Sequence, residues 1–318
     1  MMIVAFGTLL PLALGIARAE PEVCIFGSLM GYCLGICTET GTVAHRFGIL
    51  FLGFCAMTGA FALGVLLQDS LPLFLVASAG IVYLIGVLFG RGGEIERLLV
   101  LAAVHFYVAR YAPSVKPTVI PLVGLYVVTA FVSVAIGNLV AILVFKTACT
   151  PYVKIRQAFS QLITRERIRH IYALTYAAAV TAAILFVDYF KIERGYWTII
   201  TVLLMMKPMK REIVARVSQR VLGTLAGILF GELLIVGNLP LALLALIATA
   251  FATLVPYFWY RNYWLVAVNV TAYVIGMLEI ASQGKLTSAI TLIRLEATLY
   301  GCAISLAIIF LFPKSYQT

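Results

Sequence analysis

Apolar residues occur in long runs along this chain, and only short polar breaks separate one run from the next. Most runs approach or exceed the roughly 17 to 25 apolar residues that carry a helix across a bilayer. No stretch alternates apolar and polar residues as the strands of a membrane barrel do. The pattern therefore predicts an all-α integral membrane protein with about twelve transmembrane helices, which we place at residues 2–17, 22–37, 47–67, 72–90, 97–112, 119–145, 171–188, 195–206, 216–236, 240–259, 263–281 and 289–312.

The longest polar break, residues 147–170, is also the most basic. We predict that it forms a short amphipathic linker on the cytoplasmic surface, between a first six-helix membrane repeat (1–146) and a second one (171–318). An even number of spans then places both the N- and the C-terminus in the cytoplasm. Inner segments carry 16 of the 23 Lys and Arg residues and outer segments carry 7, in agreement with the positive-inside rule.

Composition supports the membrane assignment and limits the function. Of the 318 residues, 63% are hydrophobic and 11% are charged, which is too apolar for a soluble globule. We therefore interpret the net charge of +10 as the positive-inside signal and not as a nucleic-acid surface. The six cysteines form no CxxC pair and the three histidines are scattered, so the sequence predicts neither a metal site nor another cofactor.

The two halves of the chain resemble each other. A shift of 174 residues superimposes Arg46 on Arg220 and Gly53 on Gly227. Because six helices bring the chain back to the same side, the halves are predicted to be parallel repeats related by a pseudo-twofold axis along the membrane normal. The second run of each half is the shortest, and transport pathways often lie where a helix is short or broken. We therefore expect runs 22–37 and 195–206 to form part of a pathway wall.

Two helices carry the pattern R-xxx-T-xx-G from opposite sides of the membrane. This spacing keeps an arginine, a threonine and a glycine on one helix face, in Arg220, Thr224 and Gly227 and in Arg294, Thr298 and Gly301. A guanidinium binds a carboxylate through two parallel hydrogen bonds. One interpretation is that Arg220 and Arg294 hold an anionic substrate in a central cavity; the alternative is that they extend to lipid headgroups.

Several ionisable residues lie in or near the predicted spans. Glu296 is a candidate for proton coupling, or for a structural pair with Arg294 or another basic residue, because an acid inside a span is costly. His105 is the second coupling candidate, with a hydrogen bond to a neighbouring helix as the alternative. We expect the other acids, which lie near outer helix ends, to be solvated: Asp188, Glu232 and Glu279.

Five ordered blocks stand out between residues 190 and 305: RGYW at 194–197, the basic turn after Pro208, the glycine-rich helix from Arg220, RNYWLVAVNVTAY at 261–273, and the helix from Arg294 to Gly301. Together they resemble the fusaric acid resistance (FUSC) and aromatic acid exporter family. We add Tyr196 and Trp197 to the predicted substrate-binding residues. The resemblance implies two six-helix units in a bacterial inner membrane and proton-driven export of aromatic carboxylic acids. At the first-half positions matching Arg294 and Glu296, this chain has Tyr126 and Val128.

The leading hypothesis is therefore a proton-coupled exporter of small organic anions, with membrane lipids and such an anion as its partners. A passive anion channel is the alternative, since plant aluminium-activated malate transporters resemble this family distantly and rings of arginine select anions. A membrane-embedded enzyme is disfavoured because no catalytic dyad or nucleophile motif stands out. A homo-oligomer or a periplasmic adaptor protein is left open as a further partner.

Overall fold

The computed structural model describes residues 1–37, 42–90, 93–111, 119–145, 167–259 and 261–310. Within these ranges the regular secondary structure is entirely helical, which confirms the predicted all-α class. The twelve helices of the described residues are α1 (Met2–Ala17), α2 (Pro21–Cys37), α3 (Val43–Leu66), α4 (Leu71–Leu88), α5 (Glu94–Tyr111), α6 (Ile120–Phe145), α7 (Arg167–Phe190), α8 (Tyr196–Met205), α9 (Lys210–Val236), α10 (Leu241–Phe258), α11 (Tyr263–Ala281) and α12 (Ala289–Phe310).

Each predicted span coincides with one helix, but not all helices are equally long and apolar. Eight of those described have the length and hydropathy needed to cross a bilayer: α3, α4, α6, α7 and α9 to α12. Helices α1 and α2 are shorter, and α5 carries four charged residues. Most of the predicted linker, residues 147–166, lies outside the described residues.

Helix α8 is the shortest, as its apolar run predicted. Its 10 residues extend about 15 Å at 1.5 Å per residue, which is half of a bilayer core. The chain then turns extended at Met206, just before Pro208, which lacks an amide donor and disfavours helix in the residue before it. Helix α9 begins at Lys210, six residues before the predicted start. Its first turns are charged, and hydropathy alone could not identify them as helical.

The chain divides into two compact units, and each unit contains helices from both halves of the sequence. The first unit contains α1, α2, α6, α10 and α11, with α3 up to Cys55, α9 from Leu222 and α12 up to Leu295. The second contains α4, α5, α7 and α8, with the remaining parts of α3, α9 and α12.

Close backbone contacts at small residues join the helices of the first unit. A Cβ added to Gly31 of α2 would lie 1.9 Å from the carbonyl oxygen of Gly7 on α1. Gly27 of α2 approaches the carbonyl of Tyr126 on α6 in the same way. The predicted glycine series of α9, residues 223, 227 and 231, packs against α11. Small residues allow these approaches because no side chain separates the two backbones.

The second unit combines similar contacts with an aromatic core. Helix α4 packs on α7, where a Cβ on Gly86 would lie 2.6 Å from Ala173 Cα. The rings of Phe74 and Phe106 stack with their centroids 4.4 Å apart. A buried hydrogen bond of 2.7 Å joins the hydroxyl groups of Ser78 and Tyr107.

Replacing Gly31 by Ala tests the importance of the backbone contacts. We expect Gly31→Ala to lower stability by about 1–3 kcal/mol, because the new methyl group overpacks the α1–α2 contact. The measurement is the thermal unfolding midpoint of the protein in detergent. Gly80→Ala in α4 is the matched control, since nothing lies within 4 Å of its Cβ position. Equal midpoints for the two variants would contradict the expectation.

Candidate functional site

Three arginines in the helices are almost completely buried. The exposed fraction is 4% for Arg46, 2% for Arg220 and 3% for Arg294. A buried guanidinium is costly unless hydrogen bonds and an opposite charge compensate for its lost hydration. The structure therefore places both predicted anion-binding arginines inside the protein, where they do not reach lipid headgroups.

Arg220 lies in the second unit and has no anionic partner there. Its Nε is buried and makes no hydrogen bond within the described part of the chain. No ion pair joins it to a carboxylate of the described residues. Its charge lies within electrostatic range of the Cys302 thiol on α12. Arg220 is thus a permanently charged side chain whose charge these residues leave uncompensated.

Helices α8 and α12 approach each other next to this arginine. A Cβ on Gly301, the neighbour of Cys302 in the chain, would lie 2.7 Å from Thr201 Cβ and 2.8 Å from the Thr198 carbonyl oxygen. Thr201 donates its hydroxyl to the Trp197 carbonyl at 2.8 Å. The hydroxyl of Thr198 is buried without a hydrogen-bond partner in the described residues. The Thr201 side chain and the Thr198 carbonyl of α8 therefore contact the turn of α12 whose Cys302 thiol lies within electrostatic range of Arg220.

The other predicted polar residues are also buried, in different units. Thr298 is fully buried and belongs to the second unit with Arg220. Thr224 and Arg294 belong to the first unit. The Thr224 hydroxyl is buried and unbonded in the described structure, between two glycines that contact α11.

Tyr196 and Trp197 begin α8 and are buried, with exposed fractions of 8% and 3%. Their rings meet edge to face with the centroids 5.5 Å apart. The guanidinium of Arg194 lies 5.7 Å from the centre of the Trp197 ring. These contacts show that both rings are packed at the N-terminal end of α8. A role of either ring in binding substrate stays a prediction.

The two predicted proton-coupling residues have opposite environments. His105 is 2% exposed, and its Nδ1 lies 2.8 Å from the carbonyl oxygen of Leu101 on the same helix. Its Nε2 is buried and has no partner in the described ranges. Glu296 is exposed and pairs with none of the described residues. The alternative pairing with Arg294 is therefore not seen, since residues two apart on a helix face different directions.

The acids near the outer helix ends are not simply solvated, contrary to the prediction. Asp188 accepts hydrogen bonds from Arg110 at 3.2 Å and from Tyr111 at 2.8 Å. Glu232 accepts from the hydroxyls of Ser288 and Thr291 at the start of α12, where an anion is favoured by the helix dipole. Glu279 is 2% exposed. The environments of these three acids depend on tertiary contacts around the helix ends, which the sequence pattern does not reveal.

The basic turn after α8 contains one buried amine. Lys207 Nζ lies 4.2 Å from the centre of the Phe89 ring, and its side chain lines a small cleft with Tyr172, Met206 and Ile213. Burial, with a smaller contribution from nearby Arg216, lowers the pKa of Lys207 to about 8, although Glu96 and Glu212 act in the opposite direction. This lysine is therefore packed into the protein and not simply a charge for lipid headgroups.

The described residues contain no group of three His, Cys, Asp or Glu side chains arranged to hold a metal ion. Five cysteines of the described chain are free thiols, and all but Cys55 are buried. Burial of cysteine in a membrane helix is ordinary packing. The site described above thus consists of cationic, hydroxyl and aromatic groups.

The fold defines an all-α, multi-pass membrane protein. Residues 181–308 match the family model described as fusaric acid resistance protein-like, which confirms the predicted resemblance over that segment. An uncharacterized protein of Haemophilus influenzae (strain ATCC 51907 / DSM 11121 / KW20 / Rd) is 31% identical over 146 residues, or 46% of this chain. The alignment spans only 20% of that relative's length. No solved structure matches the chain.

The lowered pKa of Lys207 predicts a pH-dependent stability. An ordinary lysine titrates near 10.4, so between pH 8 and 10 the unfolded chain binds more protons than the native protein, and stability rises with pH. We expect Lys207→Met to remove part of this rise, of the order of 1 kcal/mol or about 2–4 °C in Tm. The measurement is Tm from pH 7 to 10, with exposed Lys285→Met as the control. An unchanged pH slope in Lys207→Met would refute the assignment.

Proposed function

We propose that the protein exports small organic anions, chiefly aromatic carboxylic acids, across a bacterial inner membrane at the expense of the proton gradient. The buried and uncompensated guanidinium of Arg220 carries this proposal. The resemblance of residues 181–308 to fusaric acid resistance proteins supports the aromatic class of substrate.

The energetic argument concerns the cost of the buried charge. Arginine stays protonated in proteins, so Arg220 cannot escape the cost of burial by losing its proton. A carboxylate ligand supplies the missing charge and accepts two hydrogen bonds from the planar guanidinium. Removal of water from such a site strengthens the attraction, because the local dielectric constant is low. An anion is therefore the ligand class that best fits the site.

We further propose that twelve spans form two parallel six-helix repeats with both termini in the cytoplasm. Corresponding helix pairs support this architecture. In the first unit, α1 packs on α10 and α2 on α11. In the second unit, α4 packs on α7 and α5 on α8. In both units a first helix of one half therefore meets a fourth helix of the other half, and a second meets a fifth.

For coupling to protons we propose His105 in preference to Glu296. The Nε2 atom of His105 is buried and makes no hydrogen bond within the described residues, so its lone pair is available to accept a proton. A charge that forms on His105 during transport alters the field inside the second unit, which also contains Arg220. Glu296 is directed away from the interior.

Replacing each arginine separately tests its predicted role in binding the anion. We expect Arg220→Gln and Arg294→Gln to reduce carboxylate transport at least about tenfold, since hydrogen bonds to charged groups contribute about 1.5–3 kcal/mol. Arg220→Lys should recover only part of the activity, because an ammonium lacks the planar fork. The measurement is flux of benzoate and other aromatic carboxylates into proteoliposomes.

Arg211→Gln is the matched control for these variants, since Arg211 is exposed in the first turn of α9. Membrane insertion should be similar for all variants, and Arg220→Gln should not unfold at a lower temperature than the native protein, because it removes an uncompensated buried charge. Full transport by both Arg220→Gln and Arg294→Gln would exclude these arginines from the pathway.

The direction of flux under a pH gradient separates an exporter from a passive channel. In proteoliposomes with a carboxylate at equal concentration on both sides, an imposed pH gradient should drive accumulation of the anion. His105→Gln should abolish this accumulation while downhill exchange persists. Strictly downhill flux that ignores the gradient would instead establish the channel.

A further inference from the structure

The outward face of α12 differs from an ordinary lipid-facing surface. Its exposed positions follow one another at intervals of three or four residues, and they are Ala289, Leu292, Glu296, Leu299, Ala303, Ala307 and Phe310. Six are small or apolar, as lipid requires. Glu296, the third in the series, carries a carboxyl group.

Glu296 lies at membrane depth. Helix α12 has the length and hydropathy of a membrane span, and Glu296 is seven residues from its first residue. At 1.5 Å per residue this corresponds to about 10 Å along the helix, in a hydrocarbon core about 30 Å thick. A carboxyl group facing lipid at this depth is costly, and none of the described residues binds it. The face therefore requires a polar partner that the described chain does not supply.

The spacing of the face is suited to another helix. Its seven positions span 21 residues, an average of 3.5 residues per step, which is the period of helices that pack side by side in a left-handed pair. Ala303 and Ala307 form a small-xxx-small pair that allows a second backbone to approach. Leu292 and Leu299 flank Glu296 on this face, with exposed fractions of 62% and 44%. Both are large apolar side chains that can pack between the side chains of a second helix.

The fold itself does not require an acid at this position. In the proposed repeat, Val128 of α6 corresponds to Glu296, and Val128 is also exposed, at 49%. The exposed face of α6 is apolar around Val128, so it can face lipid without a polar group. The carboxyl group on α12 therefore has a role other than the packing of the described helices.

We propose that this face of α12 binds the same face of a second copy of the chain, around a twofold axis along the membrane normal. Such symmetry sets the two α12 helices parallel and in register, so Glu296 meets Glu296 of the second copy at the same depth. Two neutral carboxyl groups placed in this way each donate their O–H to the carbonyl oxygen of the other, and these two hydrogen bonds satisfy both groups in a dry interface. A different partner would have to bring its own polar group to this depth, whereas a second copy does so by symmetry.

Oxidative cross-linking in native membranes tests the contact in the full-length protein. Leu299→Cys is placed in a background carrying Cys55→Ser, which removes an exposed native thiol. We expect Leu299→Cys to form a disulfide-linked dimer. Val132→Cys, on the exposed apolar face of α6, is the matched control and should stay uncross-linked. Absence of a Leu299→Cys dimer, equal cross-linking of both variants, or a cross-link to a different protein would each overturn the proposal.

Dimer dissociation in lipid nanodiscs or dilute bilayers tests the role of the acid. Glu296→Val, which copies the residue of α6, should raise the dimer dissociation constant about tenfold, and Glu296→Gln should preserve the dimer because an amide both donates and accepts. Thermal unfolding of the isolated monomer should be the same for both variants. Equal dissociation constants for Glu296→Val and the native protein would refute the carboxyl contact.

Discussion

Close packing of helix backbones is the constraint on which this structure depends. Inside a bilayer each helix satisfies its own hydrogen bonds, and lipid tails are as apolar as the side chains, so the hydrophobic effect does not hold helices together. Association requires many short van der Waals contacts, which glycine permits. The approach of Gly31 to Gly7 and that of Gly301 to Thr201 are of this kind. The latter contact is next to Cys302, whose thiol lies within electrostatic range of Arg220.

Close packing also brings polar groups near partners, and this explains how many of them are tolerated in the interior. Threonine hydroxyls bond to a carbonyl one turn earlier, as Thr201 does with Trp197, and pairs such as Ser28 with Tyr273 bond across helices at 2.9 Å. Asp188 and Arg110 compensate each other. Other buried polar atoms have no hydrogen-bond partner in the described part of the chain, among them the hydroxyls of Thr198 and Thr224. Arg220 adds a full positive charge that no carboxylate of the described residues pairs with. A buried charge without a counterion is costly, which is why we connect Arg220 with an anionic ligand.

In the repeat that we propose, corresponding helix pairs of the two units build related surroundings from different residues. In the first unit α2 and α6 approach through Gly27 of α2. In the second unit α8 and α12 approach through Gly301 of α12. Both units therefore have a close contact between the second and the sixth helix of one half. The glycine is on the second helix in the first unit and on the sixth helix in the second unit. Functional differences between the halves, such as Arg294 opposite Tyr126 or Glu296 opposite Val128, can therefore arise while the packing is kept.

The sequence by itself determined the all-helical membrane class, the position of all twelve described helices and the short α8, because hydropathy and proline act locally along the chain. It also singled out Arg220 and Arg294, since charges in apolar runs are conspicuous. Only the tertiary structure decided which helices from the two halves share a unit, that Glu279 is buried, and that Glu296 is exposed. Those outcomes depend on helix rotation and on contacts between residues far apart in the chain, and the order of residues does not encode them in any local pattern.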